Sequence, residues 1–431
     1  MSKVTDMTTL IIAIFILGYL AITLEHPLKV NKAATALITG VLCWTVYVLN
    51  ADSSHAIVHQ LDAHLGEVSG ILFFLMGAMV IVELIDAHDG FEIITERITT
   101  TSKRKLLWVL TTITFFLSAL LDNLTTTIVM LSLQRKLLND RNDRLFLAGL
   151  TVVAANAGGA WSPLGDVTTT MLWIGGQISA VQVMTSLILP SLVCLLIPLL
   201  VVSVNFKGKL TAPHVDSSAA STSTPFERNA VFLLGLSALI FVPIFKTVTH
   251  LPPFMGMLLG LGAMWVVTEV IHSGKDEAEK GLLSVNHAIR KIDTPSILFF
   301  LGILLAISAL QSTGILTGIA SWLDETVGNL TAIGLLIGVF SAVVDNVPLV
   351  AATQAMYSLE RFPCDHFFWE FLAYCTGTGG SALIIGSAAG VAAMGIEKID
   401  FFWYLKKISL LALLGYLAGA GAYLLQHSLM H

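Results

Sequence analysis

Residues 118–130 read SALLDNLTTTIVM, an aspartate, an asparagine and three threonines inside a stretch apolar enough to sit in hydrocarbon. A charged side chain at the centre of a membrane helix costs about 2.5–3.5 kcal/mol on insertion scales. The fold therefore turns on whether the chain around Asp122 crosses a bilayer or enters and leaves it on the same side.

The rest of the sequence establishes the bilayer. Of the 431 residues, 55% are hydrophobic and only 12% charged, far from the composition of a water-soluble domain. Runs of 17–25 apolar residues recur along the chain, each long enough to span about 30 Å of hydrocarbon as helix. Helices satisfy their own backbone hydrogen bonds in lipid, so the class is an all-α polytopic membrane protein with the lipid bilayer as its first partner. The first run, 10–24, lacks a small-residue cleavage pattern and reads as a retained span. Cys43, Cys194, Cys364 and Cys375 are scattered without a CxxC, so neither disulfide nor zinc is indicated. The net charge of −6 points to no nucleic acid.

Apolar segments fall at 8–24, 33–49, 69–86, 106–133, 145–173, 184–203, 229–248, 254–272, 295–312, 330–357, 367–394 and 408–426. Basic residues cluster on the cytoplasmic side of membrane proteins. If 106–133 spanned the membrane, the basic residues of ERITTTSKRK and QRKLLNDRNDR would lie on opposite sides. If 106–133 and 330–357 are re-entrant hairpins, 20 of the 23 basic residues fall inside, and only Lys3, Lys246 and Arg361 fall outside. Both termini then lie outside. The loop carrying His55, His59 and His64 is read as solvated on that outer side, and Glu25 and His26 lie in the first inner turn.

The two halves resemble each other. ILFFLMGAMVIVELI from Ile71 matches ILFFLGILLAISAL from Ile297, SALLDN from Ser118 matches SAVVDN from Ser341, and GGAWSPLGD from Gly158 matches GGSALIIGS from Gly379. The offsets drift slowly in one order, as in a duplicated unit. Each unit has five spans, an odd number, plus one hairpin and a broken helix after it, so the second copy is inverted, the plan of secondary transporters. The first repeat covers 1–204 (hairpin 106–133, broken helix 145–173). A Ser/Thr/Pro-rich cytoplasmic linker covers 205–228, and the second repeat covers 229–431 (hairpin 330–357, broken helix 367–394).

In this plan Asp122–Asn123 and Asp345–Asn346 are hairpin tips reaching the bilayer midplane from opposite faces. An aspartate there can cap the following helix, and it can also hold a cation. The glycine-rich stretches NAGGAWSPLGDVTTT (156–170) and TGTGGSALIIGSAAG (376–390) read as broken helices, whose freed carbonyls are hard oxygen ligands for a small alkali cation. Asp166 in the first aligns with Ser387 in the second, and this asymmetric carboxylate is the candidate for proton coupling. At the inner end of the third span, Glu83 and Asp86 are candidates for a cytosolic access path and His88 for pH sensing. Interfacial carboxylates are also often merely solvated.

Together, MVIVELIDAHDGFEIITERI, ALLDNLTTTIVM, NAGGAWSPLGDVTTTMLW and AVVDNVP resemble the NhaD family of bacterial sodium/proton antiporters, within the superfamily that includes arsenite and dicarboxylate carriers. The resemblance implies an inner-membrane homodimer that exports Na+ or Li+ in exchange for H+ by an elevator-like motion, with no cofactor and no enzymatic activity. It further implies a cation site drawn from Asp122, Asn123, Thr125, Thr126, Asn156, Ser162, Asp166, Thr168 and Thr169, with Asp345, Asn346, Thr376, Thr378, Ser381 and Ser387 from the second half. Na+ itself would sit among Asp122, Asn123, Asp166, Asp345 and Asn346. Dicarboxylate carriers are similar in plan but have Ser-Asn-Thr tips; aspartate at both tips would repel an anion. Other readings are a carrier of arsenite or an organic anion, a passive channel, and an intramembrane aspartyl protease using Asp122 and Asp166. The last lacks the Gly-x-Gly-Asp pattern, because Pro163 stands where the first glycine belongs.

Overall fold

The computed structural model describes residues 2–51, 53–95, 98, 100–209 and 223–430. Arg97 and the middle of the 205–228 linker lie outside the described residues. The first half runs through α1 (Ser2–Thr23), α2 (Glu25–Leu28), α3 (Lys32–Asn50), α4 (Ser54–Ala87), α5 (Glu92–Thr95), α6 (Lys103–Ser118), α7 (Asn123–Leu137), α8 (Arg141–Ala160), α9 (Val167–Ile174) and α10 (Ala180–Asn205). The second half has α11 (Pro225–Thr249), α12 (Pro253–Ile271), α13 (Glu277–Leu282), α14 (Val285–Lys291), α15 (Thr294–Ser312), α16 (Ile315–Thr326) and α17 (Leu330–Phe340). It closes with α18 (Asn346–Met356), α19 (Phe367–Gly379), α20 (Ala388–Glu397), α21 (Phe401–Tyr404), a π-helical turn at Leu405–Ser409, and α22 (Leu410–Met430).

Seven of the described helices are long and apolar enough to cross a membrane: α3, α4, α10, α11, α12, α15 and the continuous Phe401–Met430 stretch. The sequence reading counted ten. The other three fall on α1, whose apolar part is short, and on the two segments that break into α8 with α9 and α19 with α20. Breaks occur where expected, at 119–122, 161–166, 341–345 and 380–387. A multi-pass helical membrane protein is thus the architecture.

Two stretches differ from expectation. Residues 54–68, read as an outer loop, are the start of α4, which at 34 residues is roughly 51 Å long and overshoots the hydrocarbon. His55, His59 and His64 are therefore helical, and the His64 ring is 3.0 Å from the Ser312 hydroxyl at the end of α15. Residues 315–326, read as no apolar segment, form α16, which meets α17 at a 120° bend. Its Asp324 pairs with Arg361 at 2.6 Å.

Packing falls mainly into two groups of helices. One combines α1, α3 and α15 with α4, α11 and α12. There the Trp44 indole of α3 donates to the Leu305 carbonyl of α15 at 2.9 Å. The other surrounds α8 and α19, which pack on each other and are buried along almost their whole length, with α6, α7, α10, α17, α20 and α22 around them. Arg135 of α7 and Arg144 of α8 hold the buried Glu397 carboxylate of α20 at 2.6 and 3.3 Å, joining the two halves.

Gly158 and Gly379 show why those buried helices are glycine-rich. A Cβ at Gly158 would collide with the Phe115 carbonyl of α6, and one at Gly379 with the Gly338 carbonyl of α17. Both obstacles are backbone, which cannot rotate away. Gly158→Ala or Gly379→Ala is expected to destabilise the protein by about 1–3 kcal/mol through overpacking. A fall in melting temperature in detergent checks this, and unchanged melting in both variants would contradict it.

Candidate ion-binding site

Each break begins a new helix in the interior, and a helix N-terminus carries N–H groups that need acceptors. Four side chains supply them. Asp122 accepts from the Thr125 N–H at 2.8 Å and from its hydroxyl at 2.6 Å. Asp166 Oδ1 accepts from the Thr168 N–H at 2.9 Å and its hydroxyl at 2.7 Å. Asp345 accepts from the Val347 N–H at 3.3 Å, and Ser387 from the Gly390 N–H at 3.1 Å. Asp166 and Ser387, aligned in sequence, thus start α9 and α20 in the same way.

A buried amide network joins these caps. The Asn123 amide donates to Asp166 Oδ2 at 2.8 Å and to Asn156 Oδ1 at 3.1 Å. Asn156 in turn donates to the Ser381 and Ser387 hydroxyls, both at 2.9 Å. One chain of hydrogen bonds therefore runs from the start of α7 through α8 to the break between α19 and α20.

Asp122, Asn123, Asp166, Asp345 and Asn346 all line one cavity of about 50 Å³, together with Phe74, Leu121, Met257 and Phe300. That is space for a few waters or one partly hydrated small cation. Lys32 also lines it and brings its ammonium to 3.2 Å from Asp345 Oδ2. Three carboxylates and one ammonium leave a formal charge of −2 when all are ionised. Among the described residues no cluster of His, Cys, Asp and Glu is tight enough for a transition-metal site. Amide, hydroxyl and carboxylate oxygens spread around a small cavity with otherwise largely apolar walls suit a hard, loosely held cation better.

The remaining candidates divide. The Thr126 hydroxyl is buried with no hydrogen-bond partner among the described residues. Ser162 donates to the Ala119 carbonyl at 2.5 Å, tying the break after α8 to the one after α6, and Thr169 donates to the Ala160 carbonyl at 3.3 Å. Thr376 and Thr378 give their hydroxyl protons to Leu372 and Tyr374 carbonyls within α19. Glu83 pairs with Lys291 of α14 at 3.3 Å. The sequence alone does not single out Lys32, whose place at the start of an apolar segment marks only the inner side. Nor does it single out His272, whose partner is 184 residues away.

His88 is buried at the end of α4, donating from Nδ1 to the Leu84 carbonyl at 2.7 Å. Its Nε2 meets His272 Nε2 at 3.3 Å, and the rings stack 5.0 Å apart. With Nδ1 donating, His88 Nε2 accepts and His272 donates; protonating the pair would set two N–H groups against each other. Burial pushes both imidazoles below the ordinary histidine value. Nearby Glu227 is held by Lys275 at 2.8 Å, and Glu269 by Lys280 at 3.2 Å.

The family model described as citrate transporter matches residues 11–365. Sodium/proton antiporter 1 of Arabidopsis thaliana is 52% identical over 96% of this chain and 72% of its own length. Sodium/proton antiporter 2 of the same plant is 47% identical, over 96% and 99%. The Na+/H+ antiporter NhaD of Vibrio cholerae is 31% identical, over 96% of this chain and 90% of that protein. The chain is a member of the NhaD antiporter family. The family and the matching model are named for transporters.

Two measurements probe this geometry. Asn156→Ala strips partners from Asn123, Ser381 and Ser387, each buried unsatisfied group costing about 1–3 kcal/mol. A marked loss of melting temperature is expected, and an unchanged melt would mean the network is not formed. For the histidine pair, a lowered folded pKa means the unfolded chain binds the proton more readily. Stability is then intact above the ordinary value of about 6.5 and declines as pH falls through it. Melting profiles between pH 8 and 5.5 should show that decline in the native chain and a shallower one in His88→Gln with His272→Gln.

Proposed function

We propose that this protein exchanges Na+ or Li+ for H+, exporting the metal cation by alternating access. The observation that carries the reading is a small cavity with three interior carboxylates, each at the start of a helix that begins inside the bundle. The sodium/proton exchange named for the relatives from a plant and a bacterium supports it.

In this reading Na+ or H+ partly neutralises Asp122, Asp166 and Asp345 so that the site can be carried across. Without a bound cation the cluster keeps its net charge of −2, and desolvating that charge opposes movement. Exchange follows because neither direction is travelled empty. Oxygen ligands would come from Asp122, Asn123, Asp166, Asp345 and Asn346.

The motion is read as elevator-like. The group around α8 and α19 would move against the group of α1, α3, α4, α11, α12 and α15, with the protein as a homodimer. The inverted repeat is supported by reciprocal packing: α6 with α8 matches α17 with α19, α7 with α20 matches α18 with α9, and α3 with α15 matches α12 with α4. The re-entrant hairpins are supported by the breaks at Asp122 and Asp345 and by the charge distribution, as are the repeat boundaries at 1–204 and 229–431. The membrane is read as a bacterial inner membrane with both termini outside.

A citrate-type anion is the other reading, favoured by the name of the family. The net negative cavity and its small volume count against it.

Reconstituted vesicles with an acid interior and an internal pH dye decide between them. Collapse of the gradient on adding NaCl or LiCl, not choline chloride, and its loss in Asp122→Asn are expected. No cation response between pH 7 and 9.5, with citrate uptake instead, would replace the antiporter reading.

A further inference from the structure

Lys32 is the one basic residue among the described residues lining the cavity. It opens α3, and its backbone N–H is fixed by Glu25 Oε1 at 3.1 Å. The side chain then reaches inward, its ammonium 4.4 Å above the Phe299 ring of α15 and 3.2 Å from Asp345 Oδ2. Both partners are mostly shielded, with side-chain exposures of 28% and 20%. A pair so placed interacts more strongly than one on an open surface. Asp293 and Glu25 line the adjoining opening with Lys32, while Asp122 and Asp166 face it across the cavity.

The two partners start different helices. α3 packs on α1 and α15, and Asp345 starts α18, which packs on α15 as well as on α9, α16 and α19. The ion pair therefore links the start of α3 to the start of α18, and it uses a carboxylate that the proposed cation site also needs.

We propose that Lys32 is a tethered counter-cation, which occupies Asp345 when the site is empty and must be displaced before Na+ can use that carboxylate. This rests on the Na+ reading above. Its ammonium lowers the charge of the empty site, and its competition weakens Na+ binding. Because it is anchored at the start of α3, displacement also frees the α18 end of the cavity from α3. Lys32 is thus a positioning residue that couples cation occupancy to release of that contact.

The test is Na+-dependent melting in detergent together with Na+-driven exchange in vesicles, for the native chain and for Lys32→Gln and Lys32→Arg. Without the competitor, half-saturation should fall by roughly 5-fold in Lys32→Gln, the size of a partly shielded ion pair near 1 kcal/mol. Arginine can grip a carboxylate through two N–H groups, so Lys32→Arg should raise half-saturation above the native value. The Gln effect should vanish in an Asp345→Asn background, as a direct pair requires. Unchanged or raised half-saturation in Lys32→Gln, or persistence of its effect without Asp345, would overturn the proposal. Should Lys32→Gln not fold, Lys32→Arg decides alone, since half-saturation at or below native contradicts competition. A native chain with no Na+ response at all would instead defeat the antiporter reading on which this rests.

Discussion

A helix that begins in the middle of a membrane protein exposes N–H groups with no water to receive them, and every feature of this site follows from how that problem is met. Asp122, Asp166, Asp345 and Ser387 each accept from the first turn of a helix that starts at an interior break. Three of the four acceptors are carboxylates, although a hydroxyl or a neutral amide would cap as well. The choice brings negative charge into a space of a few waters, and that charge is what a transported cation can recognise.

Capping and ion binding are therefore not alternatives. The helix N-termini hold each carboxylate in a fixed orientation, and the Asn123–Asn156 network ties Asp166 to the other half of the chain through Ser381 and Ser387. Such a network is stiff only when all its members are satisfied. Asp345 stands apart from that network, paired instead with Lys32 at the start of α3.

Much of this could be read before any coordinates. The breaks at 119–122, 161–166, 341–345 and 380–387 were legible because charged, glycine-rich or proline-containing stretches interrupt apolar runs, and such interruptions have few physical solutions in lipid. The long helix carrying His55, His59 and His64 was not legible, because a polar turn of helix beyond the hydrocarbon has the composition of a loop. Of the ten predicted spans, the first came out short in its apolar part, and 145–173 and 367–394 came out interrupted, as their glycine-rich stretches indicate.

The sequence by itself determined that the chain is a membrane helix bundle, where its helices are interrupted and which side chains stand at the interruptions, because hydrocarbon permits little else. Only the tertiary structure decided which of those side chains meet. Asn156 reaching Ser387 across 231 residues, His88 stacking on His272 across 184 and Lys32 closing on Asp345 across 313 are contacts between distant segments. No local spacing encodes them; they exist because helices from the two halves pack against each other.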